Sequence, residues 1–212
     1  GKEDLTDLNF IVFVGGFSNS DVLGSAKGWA GAFKYNLKAK EALENFYSRK
    51  DTLSLGVCNG CQLMMELGLI DKTKGSKPML HNNSGKFESN YINVNIPENN
   101  SVMLSSLIGS RLGIYVAHGE GKFDISDGEY NITMTYTSSD YPTNPNGSAL
   151  NTAGVVSPDG RHLAMMPHIE RAIFPWQCAH YPLNRKNDEI TPWLEAFINA
   201  FNWVKENSTE IK

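Results

Sequence analysis

The stretch Leu55-Gly-Val-Cys-Asn-Gly-Cys-Gln62 decides the fold. An apolar run that predicts a buried strand leads through Gly56 into Cys58, and Gly60 follows where a helix is predicted to begin. This order of strand, tight turn and helix is the cysteine form of a nucleophile elbow, in which small neighbours let the chain bend and a substrate approach. The helix dipole favours the thiolate there, and the amide of Asn59 can hold an oxyanion. We therefore predict that Cys58 is a nucleophile.

Two other interpretations of this stretch stay open at the level of sequence. Cys58 could be a buried structural cysteine, which is common for this residue type. Cys58 and Cys61 also have the C-x-x-C spacing of thiol–disulfide exchange proteins, which place that pair at the start of a helix. Those proteins usually lack a glycine-rich elbow, so we favour the nucleophile.

The segments around the elbow predict an α/β domain. The apolar run Phe10–Val14 predicts a buried parallel strand, and apolar residues recur near helical spacing from Trp29 to Arg49. Apolar and polar residues alternate over 92–96 and 132–136, which predicts half-exposed strands. We expect a three-layer domain with a mixed sheet.

The last predicted element is a C-terminal helix. Thr191 is a suitable N-cap, and Pro192 suits the first helical position. The apolar residues that follow predict one buried face: Trp193, Phe197, Ala200, Phe201 and Val204.

Composition limits the classes of function. The 212 residues carry a net charge of -4 without a cluster of lysine and arginine, so we expect neither nucleic acid nor a membrane surface as a partner. No apolar stretch approaches the roughly 20 residues that span a bilayer. Three cysteines are too few for a disulfide framework and suggest a reducing compartment, so we expect a cytoplasmic protein. The chain does not begin with Met, and we expect it to be a piece of a longer polypeptide.

A cysteine nucleophile needs a base and a group that orients the base. His168 follows the apolar run 163–166, and Glu170 lies two residues later, on the same side of an extended segment. Taken alone this pair is more often a solvated surface pair, and it gains weight because Cys58 requires such partners. The rival is His118, which is followed by Gly119 and Gly121. These glycines suggest close approach of the backbone to a ligand, so we interpret His118 as lining a pocket, with a plain turn as the alternative. His81, His162 and His180 receive no role.

Six segments in order carry a resemblance to a known family: GGFSNSDVLGSAKGWA (15–30), LGVCNGCQLM (55–64), NNSGKFE (82–88), VAHGEGK (116–122), YPTNPNGS (141–148) and MMPHIER (165–171). Together they resemble the class I, triad-type glutamine amidotransferases, and within them the branch that serves purine biosynthesis. The resemblance implies a flavodoxin-like fold with a mixed, mostly parallel sheet over one domain, residues 1–212. It also implies that a strand and a helix that precede GGFS in the family are absent here.

The resemblance assigns roles to residues. Cys58, His168 and Glu170 fall on the catalytic triad, and Gln62 falls on a glutamine-binding position. The oxyanion hole falls on Gly16 and Phe17 together with Asn59, and we add His118 and Gly119 as lining the substrate pocket. One departure is Ile169, where the family usually has proline.

The implied reaction hydrolyses glutamine through a cysteine thioester. The ammonia would pass to a synthetase domain of the same polypeptide, or to a synthetase subunit, which converts formylglycinamide ribonucleotide to formylglycinamidine ribonucleotide with ATP and Mg²⁺. We expect no metal or cofactor in this domain itself. One alternative is a free-standing cysteine hydrolase, such as a γ-glutamyl hydrolase, against which we count the YPTNPNGS loop as partner-facing. The other is a non-catalytic scaffold, which the intact Cys58, His168 and Glu170 disfavour.

Overall fold

A computed structural model describes residues 4–208 and contains one seven-stranded sheet. The strands in chain order are β1 Phe10–Phe13, β2 Leu53–Val57, β3 Glu88–Asn95, β4 Arg111–His118, β5 Asn131–Tyr136, β6 Thr152–Val156 and β7 His162–Met165. Their order across the sheet is β1-β2-β7-β6-β5-β3-β4. The α-helices are α1 Lys27–Tyr35, α2 Leu37–Ser48, α3 Asn59–Leu67 and α4 Leu194–Asn207. Within residues 4–208, no helix is long and apolar enough to cross a membrane.

The α/β class and the mixed sheet are confirmed, whereas the prediction of mostly parallel pairing needs correction. Only β1–β2 and β2–β7 pair in parallel, and the four other neighbouring pairs are antiparallel. Parallel neighbours need a long crossover, usually a helix, and α1 with α2 supplies one between β1 and β2. The helical segments between α3 and α4 are all short 3-10 turns. Strands β3 to β7 are therefore joined by loops and turns, which favour antiparallel pairing.

The central strands are covered on both faces, as a layered domain requires. Every residue of β2, β6 and β7 is buried. The prediction of a buried strand over Phe10–Val14 is correct for strand type and parallel direction but wrong for burial. β1 lies at the edge of the sheet, and 42% of Val12 is exposed. An apolar run predicts a strand, but it does not reveal on how many sides that strand has neighbours.

The helical pattern from Trp29 to Arg49 belongs to two helices. Asn36 has an extended backbone (φ -102°, ψ 106°), which ends α1, and its side chain accepts a hydrogen bond from the Ala39 amide to cap α2. The C-terminal helix begins later than predicted, although the Thr191 hydroxyl does accept from the Trp193 amide (3.2 Å).

The prediction that Phe201 lies on the buried face of the C-terminal helix is also wrong, because 68% of this residue is exposed. The buried stripe of α4 contains Ala196 and Ala200 and continues from Trp193. Phe201 is turned about 100° from Ala200 around the helix axis and therefore leaves this stripe.

His162 is a structural histidine whose burial makes stability depend on pH. On β7 it lies against the Tyr47 ring (centroids 4.4 Å apart), and its Nδ1 shares a hydrogen bond with Ser54 Oγ (3.0 Å). Burial lowers the pKa of His162 to about 4, the positive charge of Arg161 acts in the same direction, and Asp159 opposes it. The neutral ring is thus favoured in the folded state. Its contribution is complete above the unfolded pKa, near 6.5, and is lost as pH falls toward 4.

We predict that His162→Gln loses less stability than the parent protein when the pH is lowered. Between pH 7 and pH 4 the difference should be about 3 kcal/mol, since each pKa unit corresponds to about 1.4 kcal/mol. Urea unfolding at pH 7, 5 and 4 measures it, with exposed His180→Gln as the control. Equal pH dependence in parent and His162→Gln would show that the buried ring does not carry this effect.

Candidate active site

Cys58 stands in a strained turn between β2 and α3. Its backbone has φ 51° and ψ -105°, a conformation that side-chain-bearing residues rarely adopt. The Cys58 amide donates to the Met165 carbonyl at the end of β7 (2.9 Å), which ties the turn to the neighbouring strand. Gly60 allows the turn, because a Cβ there would overlap the Phe13 carbonyl group. The predicted elbow is therefore present.

The Cys58 thiol is buried, and its sulfur donates a hydrogen bond to the Ala117 carbonyl (3.4 Å). Burial raises the pKa of the thiol to about 11, although the Asn59 and Gly16 amides lower it and Arg171 does the same. Glu170 raises it through its negative charge. The thiol is therefore neutral at physiological pH, and ionising it requires a nearby group that accepts the proton.

His168 lies beside Cys58 and is paired with Glu170. The His168 Nδ1 and Glu170 Oε1 atoms are 2.6 Å apart, and the histidine backbone is anchored by its amide donating to the Tyr115 carbonyl (2.8 Å). A Cβ placed on Gly15 would lie 2.7 Å from His168 Cε1 and 3.4 Å from Cys58 Cβ, so both side chains border the same glycine. The structure thus brings together the three residues predicted to form the triad.

The two members of the His168–Glu170 pair differ in exposure. His168 is 2% exposed, and its Nε2 has no hydrogen-bond partner among the residues described. The Glu170 side chain is 49% exposed. Burial would raise the pKa of Glu170, but the hydrogen bond and charge of His168 outweigh it, so the pKa is lowered. Glu170 is therefore an ionised acceptor that can hold the Nδ1–H group of His168.

A cavity of about 300 Å³ opens above Cys58. It is lined by all of the predicted site residues except Asn59 and Glu170: Gly16, Phe17, Cys58, Gln62, His118, Gly119 and His168. The other lining residues were not predicted from the sequence to belong to the site: Asp21, Ser25, His81, Gly85, Lys86, Phe87, Ala117, Glu120 and Arg171. The loop after β1, the start of α3 and the segment after β4 therefore converge on one pocket, at the carboxyl ends of parallel strands β1 and β2.

The amide group of Gln62 is engaged within the protein. Its Nε2 donates to the Glu120 carbonyl (2.7 Å), and its Oε1 accepts from Asn59 Nδ2 (2.8 Å). Asn59 Nδ2 also approaches both carboxylate oxygens of Asp21 (3.2 Å each). Gln62 and Asn59 thus link the loop after β1 to the segment after β4, and they set the shape of the pocket.

His118 is a buried imidazole in the pocket wall. It is 2% exposed, and neither of its ring nitrogens has a partner within residues 4–208. Burial lowers the pKa of His118 to about 4, and the nearby His168 acts in the same direction, so the ring is neutral at physiological pH. The next residue, Gly119, accepts a hydrogen bond from the Asn82 amide (2.9 Å) through its carbonyl group.

Two buried asparagines, which were not predicted from the sequence to belong to the site, hold this wall in place. Asn82 Nδ2 donates to the carbonyls of His118 (2.8 Å) and Lys86 (2.9 Å), and Asn82 Oδ1 accepts from the Gly121 amide (3.1 Å). Asn146 Nδ2 donates to the Gly121 carbonyl (2.6 Å). Asparagine is common in exposed turns, so its position in a polar loop gives no sequence signal of burial.

We predicted from the sequence that the YPTNPNGS loop faces a partner. In the structure, most of this loop faces the protein interior instead. Its Asn144, Asn146 and Ser148 side chains are buried, and Ser148 Oγ accepts from the Phe123 amide (3.0 Å). Tyr141 is exposed. Much of the loop braces the segment after β4 from inside, so it does not count against a free-standing hydrolase.

We predict that Asn82→Ala lowers the free energy of unfolding by about 2–4 kcal/mol. The substitution leaves two carbonyls and one amide near the pocket without their partner, and each such loss costs about 1–3 kcal/mol before water compensates. Asn83→Ala is the matched control, because Asn83 is exposed and its Oδ1 accepts only from Lys122 Nζ among the side chains described. The control should change stability by less than about 0.5 kcal/mol. Urea denaturation of both variants tests this, and equal effects would contradict it.

The family of CobB/CobQ-like glutamine amidotransferase domains matches residues 1–204 of the chain. The chain belongs to this family. Human phosphoribosylformylglycinamidine synthase is 41% identical over an alignment that covers 98% of this chain and 18% of that protein. A probable phosphoribosylformylglycinamidine synthase, chloroplastic/mitochondrial, from Arabidopsis thaliana is also 41% identical, with 97% and 16% covered. The amidotransferase chain spans between 16% and 18% of the length of the curated relatives that it matches.

A solved structure supports the same relationship at the level of the fold. The structure of PurLQS from Thermotoga maritima has a TM-score of 0.73 to this chain and 26% identity, and it covers 96% of this chain and 83% of that one. The alignment therefore includes nearly all of the amidotransferase domain described above.

The structure favours the nucleophile over the C-x-x-C redox pair in this amidotransferase domain. Cys61 is completely buried in the core, where burial raises the pKa of its thiol well above the usual value. Cys58, Cys61 and Cys178 are all free thiols. Cys58 lies beside the His168–Glu170 pair, an arrangement typical of a cysteine nucleophile rather than of a thiol–disulfide pair.

Proposed function

We propose that this amidotransferase domain hydrolyses the side-chain amide of glutamine, with Cys58, His168 and Glu170 as the catalytic residues. The single observation that carries the proposal is a buried cysteine in a strained turn at the start of a helix, beside a histidine–carboxylate pair. Such an arrangement supplies the nucleophile, the base and the oxyanion donors of acyl transfer.

The first half of the reaction forms a thioester. His168 Nε2 accepts the proton of the Cys58 thiol, and the sulfur attacks the carboxamide carbon of glutamine. The amides of Gly16 and Asn59 stabilise the oxyanion. His168 then returns the proton to the leaving nitrogen, so that the C–N bond breaks and ammonia departs. Glu170 holds Nδ1–H, which keeps Nε2 in the acceptor form.

The second half releases glutamate. His168 Nε2 takes a proton from a water molecule, and the oxygen of that water attacks the thioester carbon. The C–S bond then breaks, and the proton returns to the Cys58 sulfur. The thiol is thereby regenerated, and the net reaction converts glutamine and water into glutamate and ammonia.

We further propose that the ammonia is used by a synthetase that aminates formylglycinamide ribonucleotide. Support comes from the names of the relatives, which are phosphoribosylformylglycinamidine synthases several times longer than this chain. Residues 1–212 would then be the amidotransferase domain of such a synthase. The synthetase part of the same enzyme would bind ATP and Mg²⁺. A cytoplasmic location stays a prediction, and the name of the Arabidopsis relative points to an organelle in that species.

The destination of the ammonia can be followed with an isotope. The complete enzyme is incubated with glutamine labelled with ¹⁵N in its amide, formylglycinamide ribonucleotide, ATP and Mg²⁺, and with excess unlabelled ammonium in a parallel sample. We expect ¹⁵N in formylglycinamidine ribonucleotide by mass spectrometry, with little dilution by the unlabelled ammonium. Labelled ammonia that appears only in the medium would instead indicate a free-standing hydrolase.

A further inference from the structure

The lining of the pocket carries charges of both signs, which the carboxamide chemistry does not explain. Asp21 and Glu120 contribute carboxylates, while Lys86 and Arg171 contribute cations. The reacting group of glutamine is neutral, whereas its other end carries an α-ammonium and an α-carboxylate group. Proteins usually recognise an α-ammonium and an α-carboxylate group with side chains of opposite charge.

Asp21 is committed to contacts within the protein. Both of its carboxylate oxygens lie 3.2 Å from Asn59 Nδ2, and Oδ1 also accepts from the Ala26 amide (3.2 Å). Ser18 Oγ is a further donor to the same oxygen (3.5 Å). These contacts use most of the acceptor capacity of one carboxylate, so Asp21 serves the protein rather than a ligand.

Glu120 is held in place but retains free acceptor capacity. Its Oε2 accepts from the Ser25 amide (2.7 Å), while its Oε1 has a longer contact of 3.3 Å with Nδ1 of the exposed His81. A carboxylate offers about four acceptor positions, and two are used here. The Glu120 carbonyl is fixed by Gln62 Nε2 (2.7 Å), so the side chain starts from a rigid backbone. The carboxylate is therefore oriented before any ligand arrives.

An independent feature of the same wall indicates that a polar ligand binds there. His118, two residues before Glu120, is buried in the lining, with both ring nitrogens unpartnered among the residues that the structure describes. Leaving such groups unpaired is costly, and a polar ligand in the pocket would offset that cost.

We propose that the Glu120 carboxylate binds the α-ammonium group of glutamine and thereby selects a free α-amino acid over other carboxamides. This inference rests on the proposed function. Glu120 acts in recognition and takes no part in proton transfer, so its loss should raise KM far more than it lowers kcat. The competing explanation is that Glu120 only ties residue 25 to the segment after β4.

Glu120→Gln separates the two explanations. The glutamine side chain keeps an oxygen that can accept from the Ser25 amide, but it removes the negative charge. The complete enzyme is assayed for ammonia release with glutamine and with glutaramate, which has the same carboxamide and carboxylate but no α-amino group. Glu98→Gln, an exposed substitution remote from the pocket lining, controls for the loss of one charge.

We expect the parent enzyme to prefer glutamine to glutaramate, in kcat/KM, by about 100-fold. In Glu120→Gln this preference should fall about 30-fold, mainly through the KM for glutamine, while glutaramate turnover stays within about threefold. The ratio does not depend on the folded fraction, because both substrates probe one preparation. An unchanged preference, or an equal loss on both substrates, would overturn the role of Glu120. Failure of the parent enzyme to release ammonia from glutamine would instead overturn the proposed function, and this inference with it.

Discussion

Cys58→Ala should reduce glutamine hydrolysis by more than about 10⁴-fold and leave ammonium-dependent synthesis by the complete enzyme nearly unchanged. Without the sulfur no thioester forms, and the amides of Gly16 and Asn59 have no tetrahedral intermediate to stabilise. Ammonium bypasses this step, because it supplies the product of the amidotransferase domain directly. Glutamate release and ammonium-dependent formation of formylglycinamidine ribonucleotide are the two measurements.

Cys61→Ala is the matched control for this experiment. Cys61 lies on the same helix turn but is completely buried in the core, so its removal should affect stability and leave most of the glutaminase activity. Loss of both activities in Cys58→Ala would indicate a folding defect. Retention of glutamine hydrolysis in Cys58→Ala would exclude Cys58 as the nucleophile, and inactive but folded Cys61→Ala would favour a thiol pair.

His168→Gln should lower kcat for glutamine hydrolysis by about 10³-fold, within the range typical of a general acid–base residue. The effect is large because burial keeps the Cys58 thiol neutral, with its pKa raised to about 11, so an acceptor for its proton is essential. Glu170→Gln should cost less, about 10- to 100-fold, because Glu170 orients His168 from a half-exposed position. Glutamate release at saturating glutamine gives both values.

The relative size of the losses in kcat for His168→Gln and Glu170→Gln distinguishes the base from the residue that orients it. His118→Gln provides a comparison, since His118 is equally buried but is not paired with a carboxylate in the described part of the chain. If His118→Gln lowered kcat more than His168→Gln did, His118 would be the base. If Glu170→Gln cost as much as His168→Gln, Glu170 would do more than orient the ring.

The sequence allowed the elbow and its partners to be predicted because their signals are local. A strand that ends in a glycine-flanked cysteine, followed at once by a helical pattern, leaves few other structures open. The two-residue spacing of His168 and Glu170 is equally local, and their hydrogen bond confirms that the side chains meet.

The features that escaped prediction depend on contacts between distant segments. Asn82 and Asn146 hold residues 118–121 from separate loops, and nothing in their own neighbourhoods marks them as buried. The exposure of Val12 and of Phe201 depends on where the sheet and the core end. The sheet was expected to be mostly parallel because the resemblance implied it, whereas the scarcity of helices between α3 and α4 favours antiparallel pairing.

Trapping the thioester tests the catalytic role of Cys58 most directly. The enzyme is mixed with glutamine, quenched in acid within the first turnovers, digested, and analysed by mass spectrometry. We predict a γ-glutamyl adduct on the peptide that contains Cys58, which hydroxylamine removes and which is absent from Cys58→Ala. Glutamate production without an adduct on Cys58, or an adduct on Cys61 or Cys178 instead, would contradict the assignment of Cys58 as the nucleophile.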